Sequence, residues 1–109
     1  MSDIKQLISI IIPVFNESES IGFLLDEVIN VMSLHKFNFE LIVVNDGSKD
    51  NTQQVLKQLT HKIKELKVIS LRKNYGQTAA MSAGFDNSKG DIIIILDGDY
   101  RMIQMIFLY

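Results

Sequence analysis

The 109-residue sequence has no cysteine, which excludes disulfides, zinc-thiolate centres and thiol catalysis together. It also lacks any run of the ~18 apolar residues that a membrane-crossing helix needs. Its first residues, Met1-Ser2-Asp3-Ile4-Lys5-Gln6, do not lead from a charged region into an apolar, cleavable segment. The expectation is a chain that is neither exported nor membrane-spanning and works in the cytoplasm. No sign of charge dominates: 11 basic and 13 acidic residues are interspersed, so there is no electrostatic footprint for nucleic acid. Proline occurs once, as Pro13, and no G-x-G-x-x-G follows the first apolar run, which argues against a dinucleotide-binding oxidoreductase.

What the sequence does have is organised around Ile92-Ile93-Ile94-Ile95-Leu96-Asp97-Gly98-Asp99. Five large aliphatics in a row predict a strand buried on both faces, central in a parallel sheet, because a half-exposed strand would alternate apolar with polar. In extended backbone residues i and i+2 point the same way, so Asp97 and Asp99 leave the strand side by side, with Gly98 allowing close approach between them. Two like charges about 6 Å apart repel by roughly 2–3 kcal/mol at an effective dielectric near 20. A cation is expected there, and a hard divalent ion such as Mg²⁺ suits paired carboxylates.

Along the chain two periods alternate. Leu7 to Val14 reads as a buried strand that stops at Pro13, which has no amide for a ladder. After the turn Phe15-Asn16-Glu17-Ser18, the positions Ile21, Leu24, Leu25, Val28, Ile29 and Met32 form one helical stripe. Phe39 to Val44 predicts a second strand and Asn45-Asp46-Gly47-Ser48 a turn. Asp50 and Gln53 then fit a capping box for a helix burying Val55, Leu56, Leu59, Ile63 and Leu66. Val68 to Leu71 predicts a third strand, and Gln77 to Phe85 a short helix whose Ala79, Ala80, Ala83 and Gly84 permit close approach to the sheet.

The β-α-β-α-β-α-β alternation predicts an α/β fold: a three-layer, mostly parallel sheet of about four strands with crossover helices. Ligands of such sheets bind beyond the carboxyl ends of the strands. Pro13 to Glu17, Asn45 to Ser48, Arg72 to Asn74 and Asp97 to Asp99 each follow a strand, so all four polar clusters are expected to converge on one rim.

The ordered succession IIIPVFNE, VVNDGSKDNT, LRKNYGQTAAMSAGF and GDIIIILDGD resembles the amino-terminal half of family 2 glycosyltransferases with the A-type nucleotide-sugar fold. Within that family it is most similar to the polyprenyl-phosphate hexosyltransferases, which include dolichyl-phosphate mannose synthases and bactoprenol glucosyltransferases. The resemblance covers residues 7 to 99; a lone D-x-D is weak, and four motifs in order are strong. It implies inverting transfer of a hexose from a UDP- or GDP-linked sugar to a polyprenyl phosphate, at the cytoplasmic face of the membrane. It implies a nucleoside pocket lined by Pro13, Phe15 and Glu17, with Phe15 offering a ring face and Glu17 accepting hydrogen bonds. Val44 and Asp46 would form the second wall, Asp46 meeting the base edge. Asp97 and Asp99 would hold Mg²⁺ or Mn²⁺ and, through it, the diphosphate, with Gly98 between them part of the same nucleotide-sugar site.

Conformational roles compete with several of these. Asp46-Gly47 suits a turn, Glu17 suits the first turn of a helix, and Asn74 and Gly76 match the family's loop while also satisfying a turn. Arg72 and Lys73 read as a solvated strand exit, and His35 and His61 as surface residues. Asn16-Glu17-Ser18 fits a glycosylation sequon by chance. After residue 99 the resemblance ends, and Tyr100 to Tyr109 is an apolar tail where the acceptor half is expected. The division expected is a nucleotide-sugar-binding half-domain over 1–99 and a divergent tail over 100–109. Such a chain would be a truncated product, a shifted reading frame or a fragment, with the catalytic residues of the acceptor half missing. The tail is expected to pack across the open sheet edge or to promote self-association. A binding module without catalysis is the alternative, and a receiver-like phosphoacceptor domain fits less well because its acidic pair would follow the first strand.

Overall fold

The computed structural model describes residues 6–96 and 106–108. Strand β1 (Leu7–Val14) lies between β2 (Asn38–Asn45) and β4 (Ile92–Ile95), β3 (Leu66–Ser70) flanks β2, and β5 (Ile106–Leu108) flanks β4. The sheet order is β3-β2-β1-β4-β5. The first four strands are parallel, with β1 and β2 in register from Leu7↔Asn38 to Val14↔Asn45. β5 runs antiparallel to β4, from Ile93↔Leu108 to Ile95↔Ile106. Residues 106–108 of the tail therefore pair along the sheet edge, the first of the two fates expected for it. The Ile92 run is flanked on both sides, as a central strand should be, but its parallel neighbour is β1 alone.

The uninterrupted aliphatic runs are explained by the pleat of β1. Ile8, Ile10, Ile12 and Val14 face one way, onto Leu24 and Leu25 of helix α1 (Ile21–Leu34) and Leu56 of α2 (Thr52–Lys62). Ile11 faces the other way, with Ile42, Val44, Ile93 and Ile95, against Ala80 of α3 (Gln77–Asp86). Three layers result, α1 and α2 on one face and α3 on the other, as the alternation of elements predicts. Each aliphatic buried completely contributes about 1.5–3 kcal/mol, so the double-sided strands are the main source of stability. Gly84 allows the thin third layer: a β-carbon there would lie 2.4 Å from Ile11 Cγ2.

Three local expectations are corrected. Pro13 does not end β1, which pairs with β2 through Val14. Backbone groups of alternate residues face opposite neighbours. Ile11 accepts the Leu96 amide on the β4 side, so position 13 faces that side too, where β4 pairing has already stopped at Ile95. The missing N–H of Pro13 therefore breaks no ladder bond. Leu66 belongs to β3, not to the α2 stripe, because the chain turns extended at Ile63. The capping box does not form: Asp50 accepts the Thr52 amide at 2.9 Å, while Gln53 Oε1 accepts Asn45 Nδ2 at 2.8 Å and Ser70 Oγ at 2.5 Å.

Candidate functional site

At the carboxyl rim three loops are bound to one another. The β1–α1 loop joins the β2–α2 loop through Asn16, whose left-handed backbone (φ 54°) suits an asparagine. Its amide N–H donates to Ser48 Oγ at 2.9 Å and its side-chain oxygen accepts the Lys49 amide at 2.8 Å. Glu17 N–H donates to Thr52 Oγ1 at 3.1 Å, and Ser18 Oγ donates to Asp50 Oδ2 at 2.9 Å. The Thr52 hydroxyl, burial acting against it, the Thr52 amide and Ser18 together hold the Asp50 carboxyl below the usual carboxylate range.

The β2–α2 loop joins the β3–α3 loop through Asp46. Its Oδ1 accepts the Tyr75 amide at 2.8 Å, and its Oδ2 accepts the Gly76 amide at 3.0 Å and Asn74 Nδ2 at 3.2 Å. Asn74 Nδ2 also donates to the Asp46 carbonyl at 3.1 Å. Next to Asp46, Gly47 has φ 68°, and a β-carbon there would lie 2.2 Å from the Lys73 carbonyl carbon. The loop after β3 thus rests directly on Gly47 and is bolted down by Asp46. A carboxylate placed at the first turn of α3 also complements the positive end of the helix dipole.

Between these loops opens a cavity of about 280 Å³, lined by Pro13, Val14, Phe15, Glu17, Asp46, Asn74, Gly76 and Gln77. Pro13, Phe15, Glu17 and Asp46 are therefore brought together, as expected from the sequence. Phe15 keeps 40% of its surface exposed, leaving its ring available, and Glu17 Oε1 accepts Ser20 Oγ at 3.1 Å. Val44 is not on the cavity: it is fully buried among Ile11, Ile42 and Ala80. Asp97, Gly98 and Asp99 lie outside the described residues. Their strand does end on this rim, since Leu96 N–H donates to Ile11 O at 2.9 Å, beside Pro13. Among the described residues no group of three or more His, Cys, Asp or Glu is placed to hold a metal ion.

Sequence reasoning read Asn74 and Gly76 as turn residues as readily as site residues, and it passed over Gln77. All three line the cavity. Arg72 and Lys73 are exposed, as predicted, with Lys73 Nζ 5.3 Å from the Tyr75 ring centre. A second cavity of about 240 Å³, beside α1, is walled chiefly by Ile10, Leu24, Val28, Met32, Ile94 and Leu96 and offers little for a polar ligand. No helix among the described residues is long and apolar enough to cross a membrane.

Comparison with known proteins agrees with this fold. The family described as "Glycosyl transferase family 2" matches residues 9–105, six residues past Asp99, where the quoted motifs end. A dodecaprenyl-phosphate galacturonate synthase of Rhizobium johnstonii is 40% identical over 95 residues, covering 86% of this chain and 28% of that protein. An undecaprenyl-phosphate 4-deoxy-4-formamido-L-arabinose transferase of Edwardsiella ictaluri is 37% identical over 104 residues, covering 93% of this chain and 32% of that protein. The chain thus spans under a third of the length of these relatives. Among solved structures, the Pyrobaculum calidifontis mannosyltransferase PcManGT, in complex with GDP-Man and Mn²⁺, superposes with a TM-score of 0.77 at 22% identity. That match covers 89% of this chain and 28% of the mannosyltransferase, and at this identity it speaks for the fold. S. aureus TarS 1-349 in complex with UDP gives a TM-score of 0.68 at 28% identity, over 88% of this chain and 28% of TarS 1-349.

Proposed function

As this chain belongs to glycosyl transferase family 2, we propose that its rim cavity holds the nucleoside diphosphate part of an activated hexose, UDP- or GDP-linked. The hexose passes with inversion to a polyprenyl phosphate, and these residues form the donor-binding part of the enzyme that does so. The observation that carries the proposal is the cavity itself, in which Phe15, Glu17 and Asp46 meet at the ends of two adjacent parallel strands. Likeness to polyprenyl-phosphate sugar transferases over 86–93% of the chain supports the acceptor class, and a lipid-linked acceptor would place the reaction at a membrane surface.

In this reading Phe15 stacks on the base, an offset contact worth about 0.5–1.5 kcal/mol beyond the area it buries. Glu17 accepts from ribose hydroxyls, and Asp46 meets the base edge from the opposite wall. Asp97 and Asp99 would hold a divalent ion: two hard oxygen donors flanking a glycine, after a strand that ends on this rim, suit Mg²⁺ or Mn²⁺. When bound, such an ion supplies positive charge that stabilises the departing diphosphate. The attacking oxygen of a phosphate acceptor is already anionic, so little general-base help is required of the protein.

Thermal unfolding of the chain with Mn²⁺ and UDP or GDP tests the proposal. A rise in melting temperature with at least one nucleotide is expected, growing with ligand concentration as mass action requires. No rise with any nucleotide would remove it. Transfer from a nucleotide sugar to polyprenyl phosphate belongs to the full length of the relatives, and none is expected from these 109 residues alone.

A further inference from the structure

Asp46 is 4% exposed as a residue, and the remaining capacity of its carboxylate is countable. An ionised carboxylate offers two acceptor positions on each oxygen. Among the described residues Oδ2 receives two donors, Asn74 Nδ2 and the Gly76 amide, and Oδ1 receives one, the Tyr75 amide. One position is left, on Oδ1, in a residue that lines the cavity. We infer that Asn74 is a specificity-determining residue: by filling Oδ2 it leaves Asp46 able to meet a base with one donor on its pairing edge, and so selects uridine over guanosine diphosphate. The inference rests on the nucleotide reading of the cavity and goes beyond it in naming the base.

The chemistry behind it is the difference between two pairing edges. Uracil presents a single N–H, at N3, between two carbonyl oxygens, and one open position on Oδ1 satisfies it. Guanine presents N1–H and the exocyclic amine side by side and pairs with a carboxylate through both oxygens. With Oδ2 saturated, one guanine donor is buried without a partner, or Asn74 is displaced from Asp46. Either outcome penalises GDP. Asn74 is held in place by its second contact, from the same amide nitrogen to the Asp46 carbonyl, so its displacement also frees a backbone acceptor. Gly76 N–H is fixed by the start of α3, which makes Asn74 the side chain that sets the count.

Titration calorimetry of the 109-residue chain with UDP and with GDP, each with Mn²⁺, tests the inference. UDP is expected to bind roughly tenfold tighter or better, the factor that one unpaired donor imposes. In Asn74→Ala, which opens a position on Oδ2, the UDP-to-GDP ratio is expected to fall several-fold. A merely structural role for Asn74 would weaken both nucleotides alike and leave the ratio unchanged, which would overturn the assignment. GDP binding as tightly as UDP, or tighter, to the unaltered chain would overturn it without harm to the nucleotide site. Failure of both nucleotides to bind would remove the nucleotide site itself, and the inference with it.

Discussion

Glu40, near the amino-terminal end of the sheet, and Asp46, at the carboxyl end, are 8% and 4% exposed, and each carboxylate accepts three donors. The donors of Glu40 come from three separate places: Ser9 Oγ on β1 at 2.5 Å, the Lys89 amide before β4 at 2.7 Å, and Lys67 Nζ on β3 at 3.3 Å. Ser9 Oγ in turn accepts the Gly90 amide at 2.7 Å. That cluster stitches elements together and lines neither of the two cavities described. All three donors of Asp46 come from one loop, and Asp46 lines a cavity. Each carboxylate keeps one acceptor position open, so neither buried charge nor spare capacity marks function by itself; the cavity beside Asp46 is what separates the two ends.

The largest effect that would sharpen this contrast comes from adding one carbon at each end. Gly47→Ala forces a left-handed residue to carry a side chain, costing about 1–2 kcal/mol, and drives its β-carbon into the Lys73–Asn74 backbone. A loss of about 3 kcal/mol in denaturant unfolding is expected, with loss of any thermal shift by nucleotide, because the loop that Asp46 holds is pushed away. Gly90→Ala would meet Ser9 Oγ at 2.4 Å and Ser9 N at 2.6 Å. A comparable loss of stability is expected there, with nucleotide affinity unchanged at temperatures where the variant is folded. If Gly90→Ala abolished binding as well, the two ends would not be separable.

Deleting the charge at the closed end comes next. Glu40→Ala leaves the Lys89 amide and the Ser9 hydroxyl without their acceptor and is expected to cost about 2 kcal/mol, the penalty for orphaned buried donors. Most of that loss belongs to the buried partners, since Lys67 is 45% exposed at its side chain and such pairs contribute at most about 1 kcal/mol. Urea titration of Glu40→Ala beside Lys67→Met separates these shares: a Lys67→Met loss as large as that of Glu40→Ala would reverse the assignment. Neither change is expected to alter binding of UDP.

The contrast also shows what could be seen in the sequence and what could not. The layers were visible because Ile10-Ile11-Ile12 and Leu41 to Val44 leave no polar face, and because Ile21 to Met32 keeps one helical stripe. Boundaries were less visible: Leu66 continues the spacing of α2, yet the backbone turns extended three residues earlier. The end of α1 carries Lys36 with φ 58° where glycine is usual, its amide donating to Ser33 O and that of Phe37 to Met32 O, so the sequence held no signal for that cap. At the site, Asp46 was legible as a carboxylate on the rim. Its bonds to residues 74–76 were not, because they join positions 28 to 30 apart that only the pairing of β2 with β3 brings together. The Ser9–Glu40 pair was invisible for the same reason, since it depends on the register of β1 with β2.

Acid provides the smallest and finest test. Burial raises the pKa of Glu40, but hydrogen bonds from Ser9, Lys89 and Lys67 and the Lys67 charge outweigh it, and the net position is below the ordinary 4.5. A carboxyl whose pKa is lower in the folded than in the unfolded state binds fewer protons when folded, so its contribution to stability is present above the unfolded value and is lost as pH falls through the folded one. Unfolding free energy is therefore expected to decline from about pH 5 downward, and Glu40→Ala, already weaker at neutral pH, is expected to decline by less. Asp50 is shifted in the same direction by its bond to Thr52, so some slope persists in that variant, and Asp50→Asn in the Glu40→Ala background should flatten it further. Urea unfolding at neutral pH and near pH 4 measures the difference. Parallel curves for the unaltered chain and Glu40→Ala would mean that the closed cluster carries no acid sensitivity, and that its three donors do not hold the charge they surround.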